Sequence, residues 1–120
     1  MNEKKETSLG GRQLVDAIIA AAEEKLAEKI VVVDLKGQSV PADFFIICQS
    51  DTTVQNSAIA DSIIDACAAK NTRPWHYEGG AEGRWIVVDF TDVVVHIMLP
   101  ELRRYYDLES LWSGQKNSKS

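Results

Sequence analysis

The stretch RWIVVDFTDVVVHIML, residues 84–99, decides the fold of this 120-residue chain. Two apolar runs are separated only by Thr91 and Asp92, a spacing that predicts two antiparallel strands joined by a two-residue turn. In that hairpin Phe90 pairs with Val93, and each residue before Phe90 faces the matching residue after Val93. The stretch therefore fixes both a strand pair and its register.

Because side chains alternate along a strand, the hairpin has two faces of different chemistry. The aliphatic and aromatic face predicts a core, and it carries Ile86, Val88, Phe90, Val93, Val95 and Ile97. The mixed face carries Trp85, Val87, Asp89, Val94, His96 and Met98. A tryptophan, an acid and a histidine together favour a surface that is only partly covered.

Hydrophobic periodicity extends the prediction to the rest of the chain. The predicted elements are a helix from Leu9 to about Lys29, a strand over Ile30–Val33 and a strand over Asp43–Cys48. They continue with a helix from Val54 to about Asn71, a short strand over Trp75–Tyr77, the hairpin strands, and a helix over Glu101–Asp107. The order α-β-β-α-β-β-β-α predicts a single α/β domain, with a mixed five-stranded sheet flanked by helices. We expect that domain over residues 9–112, a flexible N-terminus over 1–8 and a disordered tail over 113–120.

The charge distribution favours a basic partner. The chain has 13 basic and 18 acidic residues, a net charge of -5. Residues 30–112 contain six basic and twelve acidic residues. Proteins that bind nucleic acid usually need clustered Lys and Arg to displace counterions from phosphate. Direct nucleic-acid binding is therefore disfavoured, whereas a basic protein would be attracted.

The sequence predicts a cytoplasmic protein that does not contact the membrane. It shows neither an apolar signal segment nor an apolar stretch long enough to span a membrane. Cys48 and Cys67 lie in apolar runs without a close-spaced motif, so we expect buried, reduced thiols.

The sequence offers little support for a catalytic or metal-binding site. Asp89 and His96 are diagonal neighbours on the hairpin, close enough for a hydrogen bond, and could be a metal or base pair. A structural contact is the favoured alternative, because a metal site needs further ligands. The glycine-rich loop over 78–83 lacks the Lys-Ser/Thr of a phosphate-binding loop. We therefore predict no catalytic residues, no metal site and no cofactor.

Aromatic and arginine residues point instead to binding. Tryptophan, tyrosine and arginine dominate the binding energy of protein interfaces. Arg103, Arg104, Tyr105 and Tyr106 follow one another, and a short helix cannot bury all four. We expect one arginine and one tyrosine to pack inward, and the other two to face solvent.

Several segments together resemble the Iojap family of ribosomal silencing factors. They are DFFII (43–47), EG (78–79), WIVVD (85–89), VVHI (94–97) and RYYDLESLW (104–112), in order and without large gaps. The resemblance implies a nucleotidyltransferase-like fold without enzymatic activity. It also implies binding to protein number fourteen of the large ribosomal subunit. Such binding obstructs joining to the small subunit and represses translation when nutrients are short. Off the ribosome, the resemblance implies a homodimer.

The resemblance also implies a set of partner-binding residues. Trp85, Met98 and Tyr106 would form the docking surface, flanked by Asp89, His96, Arg104 and Glu109. Four of these seven lie on the mixed face of the predicted hairpin.

An alternative function is a small metal-dependent nucleotidyltransferase. Such enzymes hold two metal ions with a Gly-Ser element and an Asp-x-Asp pair. Here Asp89 and Asp92 are separated by two residues across a turn, and the dipeptide Gly-Ser does not occur. The alternative is therefore disfavoured.

Overall fold

The strand order β1-β2-β5-β4-β3 confirms the predicted mixed sheet of five strands. The computed structural model describes residues 8–111. Its elements are α1 (Gly11–Glu24), β1 (Glu28–Asp34), β2 (Phe44–Gln49), α2 (Thr53–Ala68), β3 (His76–Glu78), β4 (Trp85–Asp89), β5 (Val93–Met98) and α3 (Pro100–Tyr106). Strands β2 and β5 are parallel, and the other neighbours are antiparallel. Trp112, the tail and the N-terminus before Ser8 lie outside the described residues.

The hairpin register is confirmed. Asp89 faces Val94, and the Phe90 N–H donates to the Val93 carbonyl over 2.9 Å. Thr91 adopts a φ of 80°, an unusual conformation for a β-branched residue. The Asp89 carboxylate accepts a 2.7 Å hydrogen bond from the Thr91 N–H, which holds the turn.

The apolar face of the hairpin belongs to the core, as predicted, and both long helices pack on it. Helix α1 contributes Leu14 and Ile18, and α2 contributes Ile59 and Ile63, all with at most 1% of their surface exposed. From the sheet, this core takes Phe44, Ile46, Cys48, Ile86, Val88, Phe90, Val93, Val95 and Ile97. Cys48 and Cys67 are buried and free, and burial raises the pKa of Cys48 to about 12 and that of Cys67 to about 11.

The first helix is shorter than predicted. It ends at Glu24, because Leu26 turns the chain with a φ of 64°. The Ala27 N–H donates a hydrogen bond to the Ala22 carbonyl over 3.0 Å, which closes the helix end. Glycine usually occupies such a left-handed position, so the sequence carries no stop signal there. The next strand consequently starts earlier, at Glu28.

A buried polar contact ties the glycine-rich loop to the start of α2. Thr52 caps this helix by accepting from the Gln55 N–H over 3.0 Å. Asn56, fully buried, donates its amide to the Gly83 carbonyl over 2.8 Å. Gly83 has a φ of +75°, and a Cβ there would lie 2.7 Å from the Thr53 carbonyl oxygen. This fit fixes the loop that leads directly into β4.

Among residues 8–111, no helix is both long and apolar enough to cross a membrane.

Candidate protein-docking surface

The face of the sheet opposite α1 and α2 is only partly covered. Helix α3 and a helical turn over 108–111 lie against one part of it. A second, smaller apolar cluster forms there, with Val33, Leu35, Ala42, Ile47 and Met98 buried at its centre. Phe45, Trp85 and Val94 border this cluster and are only half-buried. We call this side of the sheet the open face.

Five ring side chains form a continuous row across the open face. Phe45 contacts His96 with ring centroids 4.9 Å apart, and His96 lies 6.0 Å from Trp85. Trp85 in turn lies 4.8 Å from Tyr106, which meets Tyr105 at 4.9 Å. The row crosses from β2 over β5 and β4 to α3. We call these five residues the aromatic row.

His96 is held neutral inside this row. The Trp85 Nε1–H donates to His96 Nδ1 over 3.1 Å, so the neutral ring carries its proton on Nε2. Burial lowers the pKa of His96 to about 4, although the nearby Asp89 carboxylate acts in the opposite direction. Nε2 has no hydrogen-bond partner among the described residues.

The possible Asp89–His96 hydrogen bond does not form. Asp89 instead accepts from the Thr91 backbone, and Trp85 occupies the acceptor nitrogen of His96. The two-residue turn engages the carboxylate itself, because the Thr91 N–H donates to Asp89 Oδ1 over 2.7 Å. The described residues also hold no group of three or more His, Cys, Asp or Glu able to bind a metal ion.

The sequence-predicted docking residues differ in exposure. Trp85 and Asp89 are half-buried, whereas Arg104 and Tyr106 are exposed. The expectation that Met98 lies on an open surface is wrong, since it is fully buried in the smaller apolar cluster, against which Leu102 and Leu108 pack. His96 is also buried, with 8% of its surface exposed. In this conformation Met98 and His96 therefore support the surface from below.

Glu109 is engaged within the chain. Its two carboxylate oxygens accept from Arg103 Nε and Nη2 over 3.2 and 2.8 Å. Arg103 is 8% exposed and Arg104 is exposed, which confirms that one arginine packs inward. The matching expectation for the tyrosines is wrong, because Tyr105 and Tyr106 are 79% and 48% exposed. Trp85 supplies the surface on which Tyr106 rests.

Sequence reasoning missed two members of this surface. The sequence predicts Phe45 only as part of the strand over 43–48, although it alternates with the core residues Phe44 and Ile46. Trp75 is 76% exposed and, with Phe45 and Val94, lines a mainly apolar cavity of about 400 Å³ at one end of the aromatic row. Alternation could have identified Phe45, but the position of Trp75 depends on how β3 joins the sheet.

Comparison with known proteins assigns the chain to a family. The family model described as "Ribosomal silencing factor during starvation" matches residues 8–120. The ribosomal silencing factor RsfS of Bacillus subtilis is 39% identical over 101 residues, which cover 84% of this chain and 86% of that protein. Its counterpart in Halalkalibacterium halodurans is 35% identical over 104 residues, covering 87% and 89% of the two chains.

A solved structure supports the same assignment. A crystal structure of a Chromobacterium violaceum protein superposes with a TM-score of 0.85 at 30% identity, covering 88% of both chains. The chain belongs to the RsfS family. Its relatives are thus named for a regulatory role in silencing ribosomes, and the resemblance inferred from the sequence is confirmed.

The RsfS-like segments converge on the open face. The segment at 43–47 supplies Phe45, that at 85–89 supplies Trp85, and that at 94–97 supplies His96. The segment at 104–112 supplies both Tyr106 and Glu109. Residues far apart in the RsfS-family sequence therefore build one surface.

Proposed function

We propose that this protein is a ribosomal silencing factor that docks its open face on protein number fourteen of the large ribosomal subunit. The bound domain sterically blocks joining of the small subunit and thereby represses translation when nutrients are limiting. The observation that carries the proposal is the aromatic row, which lies on the incompletely covered side of an RsfS-family domain.

The chemistry of the row suits protein docking. Tyr106 and Tyr105 expose large rings on α3. Trp85 supports Tyr106 from the sheet, and Tyr106 in turn contacts Tyr105. Aromatic side chains bury much area with little loss of conformational entropy, which makes them common anchors at interfaces. The row can therefore supply binding energy without a cofactor.

Charge supports a basic partner. The protein carries a net charge of -5, and Asp89 stands beside the aromatic row. Opposite charges speed the encounter of two proteins and orient them. Arg104, exposed next to Tyr105, supplies a directional contact for an acidic or carbonyl group of the partner.

The mechanism we propose is steric exclusion, without bond formation or cleavage. The protein acts in the cytoplasm, as a homodimer when it is off the ribosome. Its main contact on the ribosome is a protein surface rather than RNA.

A reassociation assay tests this function. Purified large and small subunits are mixed with the protein and separated on a sucrose gradient. We expect the joined-ribosome peak to fall and the protein to migrate with large subunits. An undiminished peak, with the protein left at the top of the gradient, would refute the proposal.

A matched pair of tyrosine variants localises the docking surface. Tyr106 and Tyr77 have similar exposure, 48% and 42%. Tyr77 pairs with the core residue Val88 and lies near Asp61 of α2, on the helix-covered side. We expect Tyr106→Ala to restore the joined peak and Tyr77→Ala to leave silencing intact. Equal effects of the two substitutions would place the docking surface elsewhere.

A further inference from the structure

An arginine–glutamate pair joins α3 to the helical turn that follows it. Arg103 donates to both oxygens of Glu109 in a fork, and its Nη1 donates to Gln49 Oε1 over 3.2 Å. The side chains of Arg103 and Glu109 are 9% and 28% exposed. Such bidentate contacts fix orientation as well as distance.

The pair bridges a sharp change in chain direction. Helix α3 ends at Tyr106, and Asp107 adopts a left-handed conformation with a φ of 47°. Arg103 lies before this turn and Glu109 after it, so their contact ties the two segments together. Leu108, between them, packs against the apolar cluster that contains Met98.

Tyr106 lies inside the segment that the pair closes. Its ring rests on Trp85 at 4.8 Å while remaining 48% exposed. An exposed aromatic ring binds a partner best when its orientation is set before binding, because less conformational entropy is then lost. The Arg103–Glu109 contact restrains the backbone on both sides of Tyr106.

We infer that Arg103 and Glu109 are positioning residues that hold Tyr106 on Trp85 in its docking geometry. This inference rests on the function proposed above, and it changes the role of Glu109 from a direct partner contact to one that acts through Arg103. Loss of either residue releases Tyr106 and the turn over 108–111 while the sheet and its helix-covered core stay folded.

The first arm of the test examines the free protein. Glu109→Gln and Arg103→Lys keep the size of each side chain nearly unchanged but weaken the fork. In NMR spectra, the indole N–H of Trp85 reports on its contacts with Tyr106 and His96; a Trp85→Phe variant assigns this signal. We expect both substitutions to shift the indole signal and the Tyr106 ring signals. Unchanged signals would overturn the inference.

The second arm measures binding to large subunits. We expect each single substitution to raise the dissociation constant by about ten-fold, mainly through faster dissociation. The Arg103→Lys/Glu109→Gln double variant should bind no more weakly than either single variant, because the two residues act through one contact. The matched controls are Arg12→Lys and Asp16→Asn, which alter an exposed pair on α1 and should change binding less than two-fold.

Three results separate the alternatives. Multiplied effects in the double variant would mean that Glu109 touches the partner directly, and they would overturn the inference. Lower melting temperatures with unchanged dissociation constants would reduce the pair to a structural contact and overturn it equally. If the unsubstituted protein itself fails to bind large subunits, the proposed function fails, and the NMR arm alone decides whether the pair positions Tyr106.

Discussion

The two faces of the sheet are built from the same strands but are covered to different extents. On one face, α1 and α2 cover an aliphatic core in which Ile97 and Ile63 are fully buried. On the open face, the seven-residue α3 covers only one part, and ring side chains with charged neighbours take the remaining area. Alternation along β4 and β5 thus supplies a stable core and a binding surface from a single hairpin.

The residues that stabilise the fold and the residues proposed to dock lie on opposite faces of the same strands. Large apolar residues contribute most to stability where they are enclosed on all sides. Aromatic residues contribute to binding where they stay accessible. Substitutions in the core should therefore reduce stability more than docking, and substitutions on the open face should reduce docking more than stability.

Ile97→Ala should have the largest effect on stability. Ile97 is fully buried under the helices, so truncation leaves a cavity and should lower the free energy of unfolding by about 4 kcal/mol. Val94→Ala, on the half-buried opposite face of the same strand, should cost less than about 1.5 kcal/mol. Urea denaturation measures both values. Similar losses for the two variants would contradict the difference between the faces.

Acid should destabilise the protein through His96. In the unfolded chain this histidine has its ordinary pKa of 6.5, whereas burial lowers it to about 4 in the folded protein. The unfolded state therefore binds the proton first as the pH falls. The stabilisation is complete above pH 6.5 and is lost as the pH falls towards 4, a change on the order of 3 kcal/mol.

Histidine variants isolate this effect from that of the carboxylates. His96→Gln should remove the pH-dependent loss between pH 7 and pH 4 from urea-denaturation curves. His76→Gln is the matched control, because His76 is exposed on β3 beside Glu78. If His76→Gln removes the loss of stability and His96→Gln does not, the assignment of the acid sensitivity to His96 is wrong.

The sequence predicts which side chains share a face of the hairpin, but it does not predict how much of each face the other elements bury. Alternation over residues 85–98 and a two-residue turn determine which side chains share a face. The burial of Met98 depends on where Leu102 and Leu108 fold back, which is a non-local outcome. Similarly, only the positions of Gln49 and Glu109 explain why Arg103 rather than Arg104 enters the interior.

Trp85→Ala should weaken docking more than folding. Trp85 supports Tyr106 and holds His96, so its loss should cost more than about 2 kcal/mol of binding free energy for large subunits. The free energy of unfolding should fall by roughly 1–2 kcal/mol, from one lost hydrogen bond and the loss of partial burial. Sedimentation binding and urea denaturation measure the two effects.

Ile97→Ala is the counterpart of Trp85→Ala, and should bind large subunits normally at temperatures well below its melting point. Trp85→Ala binding normally while melting far lower would assign Trp85 to the core instead.

The smallest expected effect concerns the turn that links β4 and β5. Thr91 holds a φ of 80°, which strains a β-branched residue, whereas glycine is preferred at the first position of such a turn. Thr91→Gly should therefore raise the free energy of unfolding by about 0.5–1 kcal/mol, after the added flexibility of the unfolded chain is counted. Thermal denaturation measures this gain. Because the Asp89 carboxylate accepts from the backbone N–H of residue 91, the substitution keeps that bond. A loss of stability would show that the threonine side chain contributes more than its backbone strain costs.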